Sequence, residues 1–150
     1  FMVITNPDVL KELVTLIQEE YGKTEVTEQT PPYMVNIIKM SKEGKFVFYY
    51  NAPVLIVLAH KPVLANNFSD TACAMENMML ACNELDLGCC WVNQLRHLQD
   101  NERITKRLRE LGMGDDEKVY ASLAIGYPDL PNGLNRRELD IKGNPVTYID

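Results

Sequence analysis

The spacing of apolar and polar positions predicts alternating strands and helices. A short apolar run at residues 1–4 stops at Asn6-Pro7-Asp8. Asn6 suits a helix N-cap, Pro7 the first helical position, and Asp8 complements the positive end of the helix dipole. Leu10, Leu13, Val14 and Ile17 then fall at i, i+3, i+4 and i+7, one face of a helix ending near Gly22. Residues 23–32 are polar and threonine-rich and close on Pro31-Pro32, which predicts a surface loop. Met34, Ile37 and Ile38 return to helical spacing, predicting a short helix over 33–42, and the aromatic run 46–50 reads as extended. Residues 54–59 are all apolar, with Val54, Ile56 and Val57 β-branched, as in a central strand covered on both faces.

A helix over 71–85, started by Ser69-Asp70, is the most informative segment. Ala72, Met75, Met78, Met79, Cys82 and Leu85 keep helical spacing, and Cys73, Ala74, Leu80 and Ala81 fill much of the remainder. A helix apolar nearly all round is a buried one. Gly88 ends it and residues 89–92 resume as a strand. Asp100 is read as the cap of an amphipathic helix carrying Ile104, Leu108 and Leu111, stopped by Gly112. Residues 119–126 predict another central strand, and 146–149 a short one within a Pro-, Gly- and Asn-rich end. Neither a repeat nor a linker divides the chain, so the expectation is one α/β domain over 1–150.

Composition narrows the function classes. The chain has 150 residues, with 15 Lys+Arg against 21 Asp+Glu, a formal charge of −6. A pI near 5.0 argues against nucleic acid, which needs clustered cations to release counterions. The apolar stretch 52–59 falls far short of the ~20 residues that span a bilayer. With no secretory signal at its start and no C-x-x-C pair, the chain's cysteines (Cys73, Cys82, Cys89 and Cys90) read as reduced thiols of a cytoplasmic protein.

Few side chains point to chemistry on their own. A carboxylate at Glu76 within a buried helix needs a partner, and a structural tie to backbone or to a subunit neighbour is favoured over catalysis. His60 and His97 lack a second ligand at metal-type spacing, so no metal site is expected. Cys89-Cys90 open an apolar strand and read as inert buried thiols. Phosphate-loop, dinucleotide and nucleophile-elbow motifs are all lacking. Arg136-Arg137 could grip a phosphate by bidentate hydrogen bonds, although a solvated pair is the simpler reading of those two residues alone.

Taken together, several runs resemble the FMN-dependent nitroreductase family. Residues 1–7 and the run Asn51-Ala-Pro-Val-Leu-Ile-Val57 are similar to its first two core strands. The stretch from Asp70 to Trp91 resembles its most characteristic segment: an acidic start, the Glu76-Asn77 pair and a Leu87-Gly88-x-x-Trp91 end. Residues 100–114 resemble the next helix and 121–128 the closing strand. The resemblance implies an α/β (α+β) fold, a mixed sheet flanked by helices in an intertwined homodimer with FMN at the subunit interface. It implies that Trp91, Val92, Asn93 and Gln94 lie along the isoalloxazine, with the main-chain N–H near Gln94 approaching N5. It also puts Arg136 and Arg137 at the FMN phosphate. Asn93-Gln94 stand where many members carry small residues, and Asp86 replaces a frequent glycine. The family's arginine-serine-arginine start and its Gln-Pro-Trp segment do not occur in this sequence.

These readings lead to an enzyme that takes hydride from NAD(P)H through FMN to a small electron-poor acceptor such as a nitroaromatic or quinone. The flavin carries the chemistry, so no side chain is assigned as catalytic. A non-catalytic flavin- or ligand-binding domain with the same dimeric fold is the alternative, and an unrelated α/β interaction domain is a third. Because the sequence opens on Phe1 inside an apolar run, which reads as part of a core strand, the expectation is a single domain lacking its N-terminal FMN-binding segment.

Overall fold

The computed structural model describes residues 1–63, 65–129 and 143–149. Strand β1 (Met2–Ile4) leads into α1 (Pro7–Gly22), where Asn6 Oδ1 accepts from the main-chain N–H of Asp8 at 2.9 Å. Helix α2 (Pro32–Lys42) follows, then β2 (Val54–His60), α3 (Asn67–Glu84) and β3 (Gly88–Val92). A single turn of helix, α4 (Gln94–His97), precedes α5 (Glu102–Glu110) and β4 (Lys118–Gly126). The four strands form one sheet in the order β1-β2-β4-β3, with every pairing antiparallel. Inserting β4 between β2 and β3 gives it hydrogen-bonding partners on both sides and leaves β1 and β3 as edges.

Helices cover both faces of this sheet, the α/β architecture the sequence implies. On one face Leu10, Leu13 and Ile17 of α1 and Ile104 and Leu108 of α5 pack with Leu55, Val57 and Val119. On the other, Met75 and Cys82 of α3 pack with Leu58, Ala121 and Leu123. Each fully buried leucine or isoleucine contributes about 1.5–3 kcal/mol. Between Leu58 and Ala59 the pairing skips from Ala121 to Val119, so Tyr120 is the extra residue of a β-bulge. The bulge shifts the alternation by one, which brings Val119 to the same face as Ala124.

Several local expectations are corrected. Residues 46–50 form no strand but an irregular stretch that becomes a turn at 48–50: Phe48 and Tyr49 are buried edge-to-face, their ring centres 5.5 Å apart. Tyr50 and Asn51 then take left-handed φ values of 57° and 58° to turn the chain into β2. The cap of α5 is Asn101, not Asp100; Asn101 Oδ1 accepts from the N–H of Arg103 and Ile104. Residues 146–149 form no strand, with Val146, Tyr148 and Ile149 exposed. Phe1 belongs to no core strand; it is 78% exposed beside the short edge strand β1.

Helix α3 begins at Asn67, ahead of the expected start, and buries one line of residues: Asn67, Thr71, Met75 and Cys82. The opposite line, with Cys73, Glu76, Asn77 and Leu80, is exposed, so within one chain Glu76 is not a buried carboxylate. A single helix on a sheet face can cover only the side it presents. Among the described residues no helix is long and apolar enough to cross a membrane.

Candidate functional site

Edge strand β3 sends alternate side chains to opposite faces of the sheet. Trp91 lies half-buried against the α3 layer, while Val92 is buried in the α1–α5 layer. The indole Nε1 donates to Asn93 Oδ1 at 2.9 Å, fixing the ring against the turn that ends the strand. Asn93 has φ −114° and ψ 2°, a sparsely occupied backbone region, and its carbonyl accepts from the N–H of His97 at 2.9 Å. Leu95 is fully buried in the main core and anchors α4. That anchor holds Gln94 half-buried at the start of α4, where its Oε1 is shut off from solvent without a partner among the described residues. The four expected residues 91–94 therefore run contiguously from the end of β3 through Asn93 into the start of α4. Arg136 and Arg137 lie outside the described residues.

Three further elements meet near this turn. The Arg96 guanidinium sits 4.5 Å above the Phe68 ring, tying α4 to the first turn of α3. Asn67, beside Phe68, is 3% exposed. Its amide Nδ2 donates to the Lys61 carbonyl and to the Tyr120 hydroxyl, while its main-chain carbonyl accepts from Thr71 Oγ1. The bulge at Tyr120 thus turns that side chain toward the α3 start. None of Asn67, Phe68, Arg96 or Tyr120 stood out in the sequence, because they come together through sheet register rather than chain spacing. The Asn66-Asn67 pair ahead of an apolar helix was the one local signal.

The titratable groups nearby are few. Burial, and then the neighbouring Arg96 charge, hold the His97 imidazole below its usual pKa of 6.5. Burial pushes the Cys89 thiol up to about 11, with Cys82 beside it adding to the shift. Cys89 is half-buried against the α3 layer but Cys90 is exposed, so the expected buried pair is split by the alternation of an edge strand. No group of His, Cys, Asp or Glu suited to a metal ion occurs among the described residues. A cleft of about 580 Å³ at the other end of β3 is lined by Tyr49, Asn51, Pro53, Gly88, Cys90 and Tyr127, and holds none of the expected site residues. What the turn offers is amides, an aromatic ring and a guanidinium, groups that bind and orient rather than carry protons.

A nitroreductase family model matches residues 1–127. A nitroreductase from Bacteroides fragilis, solved with bound FMN, superposes with a TM-score of 0.83 at 28% identity, covering 99% of this chain and 74% of that one. A nitroreductase from Desulfitobacterium hafniense, also with bound FMN, gives a TM-score of 0.73 at 15% identity over the same shares of the two chains. An FMN-dependent nitroreductase from Clostridium difficile gives 0.62 at 20% identity, covering 97% of this chain and 76% of that one. No curated protein matches. With the helix-flanked sheet and the Trp91 turn in place, the family match over most of its length means that the chain belongs to the nitroreductase family.

Proposed function

We propose that this protein is an FMN-dependent oxidoreductase acting as a homodimer, with the 91–94 turn along the flavin. The observation that carries this reading is the turn itself. Gln94 Oε1 is a buried acceptor with no donor among the described residues, suited to an N–H on the edge of a flat heterocycle. The first N–H groups of a helix have no intrahelical acceptor, so those at the start of α4 are the donors we assign to the N5 side. Trp91, locked to Asn93, supplies a flat apolar wall. Arg136 and Arg137 are assigned to the phosphate. When bound, FMN supplies the redox chemistry, taking hydride from NAD(P)H and passing electrons to a small electron-poor acceptor such as a nitroaromatic or quinone. The chain's part is to orient the ring and shield one edge from water. The dimer reading is supported by the outer face of α3, where Leu80 is 58% exposed on an 18-residue helix. A reducing cytoplasm is the proposed compartment, in keeping with the unpaired state of Cys73, Cys82, Cys89 and Cys90.

The test is spectroscopic. Purified protein, reconstituted with FMN, should show the flavin absorption band, lose it on anaerobic addition of NADH or NADPH, and regain it when a nitroaromatic is added. A flavin band inert to both reductants would favour the non-catalytic binding domain, and failure to take up FMN would overturn the proposal. Replacing Arg136 and Arg137 together with Ala should weaken FMN more than riboflavin, which has no phosphate.

A further inference from the structure

The cation on α4 is the one described arginine without a carboxylate. Arg103 pairs with Glu19 and Glu20, Arg107 with Glu12 and Glu110, and Arg109 with Asp115. Arg96 has no ion pair among the described residues, although the chain as a whole carries an excess of acid. Its guanidinium carbon instead lies over the Phe68 ring, 4.5 Å from the centroid. A cation–π contact takes up no hydrogen-bond acceptor, so the Arg96 N–H donors, unpaired among the described residues, can still serve a planar or tetrahedral oxyanion. The group is half-buried and prepaid in conformation: Leu95 pins the helix on one side and Phe68 holds the side chain on the other. It lies two residues beyond Gln94, at the turn assigned to the flavin. His97, the other basic residue of α4, is held toward its neutral form, so Arg96 is the lasting charge there.

We propose that Arg96 is a specificity-determining residue that binds an anionic group on the molecule entering beside the flavin, an acceptor's carboxylate or the 2′-phosphate by which NADPH differs from NADH. This rests on the FMN reading above. The residue makes the site prefer anionic partners over neutral ones of the same shape. Phe68 acts with it as the platform that keeps the guanidinium from swinging into solvent.

The experiment compares two matched pairs on the FMN holoenzyme: 4-nitrobenzoate against 4-nitrobenzyl alcohol, and NADPH against NADH. In Arg96→Met, which keeps an apolar stem on Phe68 but removes the charge, kcat/KM for the more anionic member of one pair should fall roughly tenfold to hundredfold, with its neutral or less charged counterpart little changed. Arg96→Lys should recover part of the loss. Selective loss in the nitro pair identifies a carboxylate as the anion, and selective loss for NADPH identifies a phosphate. Equal losses within both pairs, or none, would overturn the inference and leave Arg96 as a packing residue. A second readout needs neither turnover nor flavin. Trp91 is the chain's single tryptophan, and nitroaromatics quench indole fluorescence on binding. Quenching by 4-nitrobenzoate that is tighter than by the alcohol, and loses that preference in Arg96→Met, would uphold the anion site even if FMN reduction failed. The same preference in wild type and variant would sink the anion site while leaving the flavin reading intact.

Discussion

Leu80 offers a direct measure of whether two chains share the outer face of α3. It stands opposite the buried line of that helix and keeps 58% of its surface exposed within one chain. Full burial of a leucine contributes about 1.5–3 kcal/mol, so covering what remains exposed would contribute about 0.9–1.7 kcal/mol per subunit. A twofold interface counts each residue twice, which brings Leu80→Ala to about 2–3.5 kcal/mol, or roughly 30- to 300-fold in the dimer dissociation constant. Leu80→Asp should weaken association further, because two carboxylates would be buried facing an apolar surface. Neither change touches the core that Met75 and Cys82 form with the sheet, so the subunit fold should survive. The assay is sedimentation velocity over a protein dilution series, with circular dichroism to confirm the fold. Val26→Ser, at an exposed position in the loop between α1 and α2, is the control and should leave the dissociation constant unchanged. A wild-type protein that sediments as a folded monomer at micromolar concentration, or variants that dissociate no more readily than wild type, would refute the reasoning.

Three further outcomes follow from the packing and the titrating groups. Gly126→Ala would place a Cβ 2.9 Å from Pro53 Cδ, a rigid ring at the start of β2, and should lower stability by about 1–3 kcal/mol in urea unfolding. The Lys23 ammonium hydrogen-bonded to Glu20, with Asn101 and Arg103 adding to it, holds the Glu20 carboxyl below its ordinary value of 4.5. A depressed folded-state pKa gives stability that is full above 4.5 and lost as pH falls through the lower folded value, so Glu20→Gln should flatten the acid limb of the urea midpoint between pH 5 and lower pH. In native protein at pH 8, iodoacetamide should label exposed Cys90 well ahead of Cys82 and Cys89, read by peptide mass; rapid labelling of Cys89 would contradict the raised pKa that burial gives it.

Much of the fold is legible along the chain because its signals are local. The Asn6 cap, the Leu10–Leu13–Ile17 stripe and the apolar runs of β2 and β4 each act within a few residues, and each element forms where its pattern lies. The 91–94 turn is legible for the same reason: strand end, aromatic and amides are contiguous. Other features depend on partners far along the chain. Residues 46–50 are aromatic enough for a strand, but Phe48 and Tyr49 are worth more as core side chains under the turn than as backbone partners at an edge. Asn101 displaced Asp100 as a cap because the cap is set by where the helix backbone begins, not by side-chain preference alone. The apolar pattern of α3 predicts a helix buried nearly all round, whereas within one chain the sheet covers a single line of it and leaves Glu76 and Leu80 exposed on the other side. Tyr120 meets Asn67 across 53 residues only because a bulge in the β2–β4 pairing re-aims it, and Arg96 meets Phe68 only because β3 and α3 pack as neighbours. Propensity and periodicity are properties of neighbouring residues; register and juxtaposition arise when the sheet closes, and the residues that shape this site were chosen at that step.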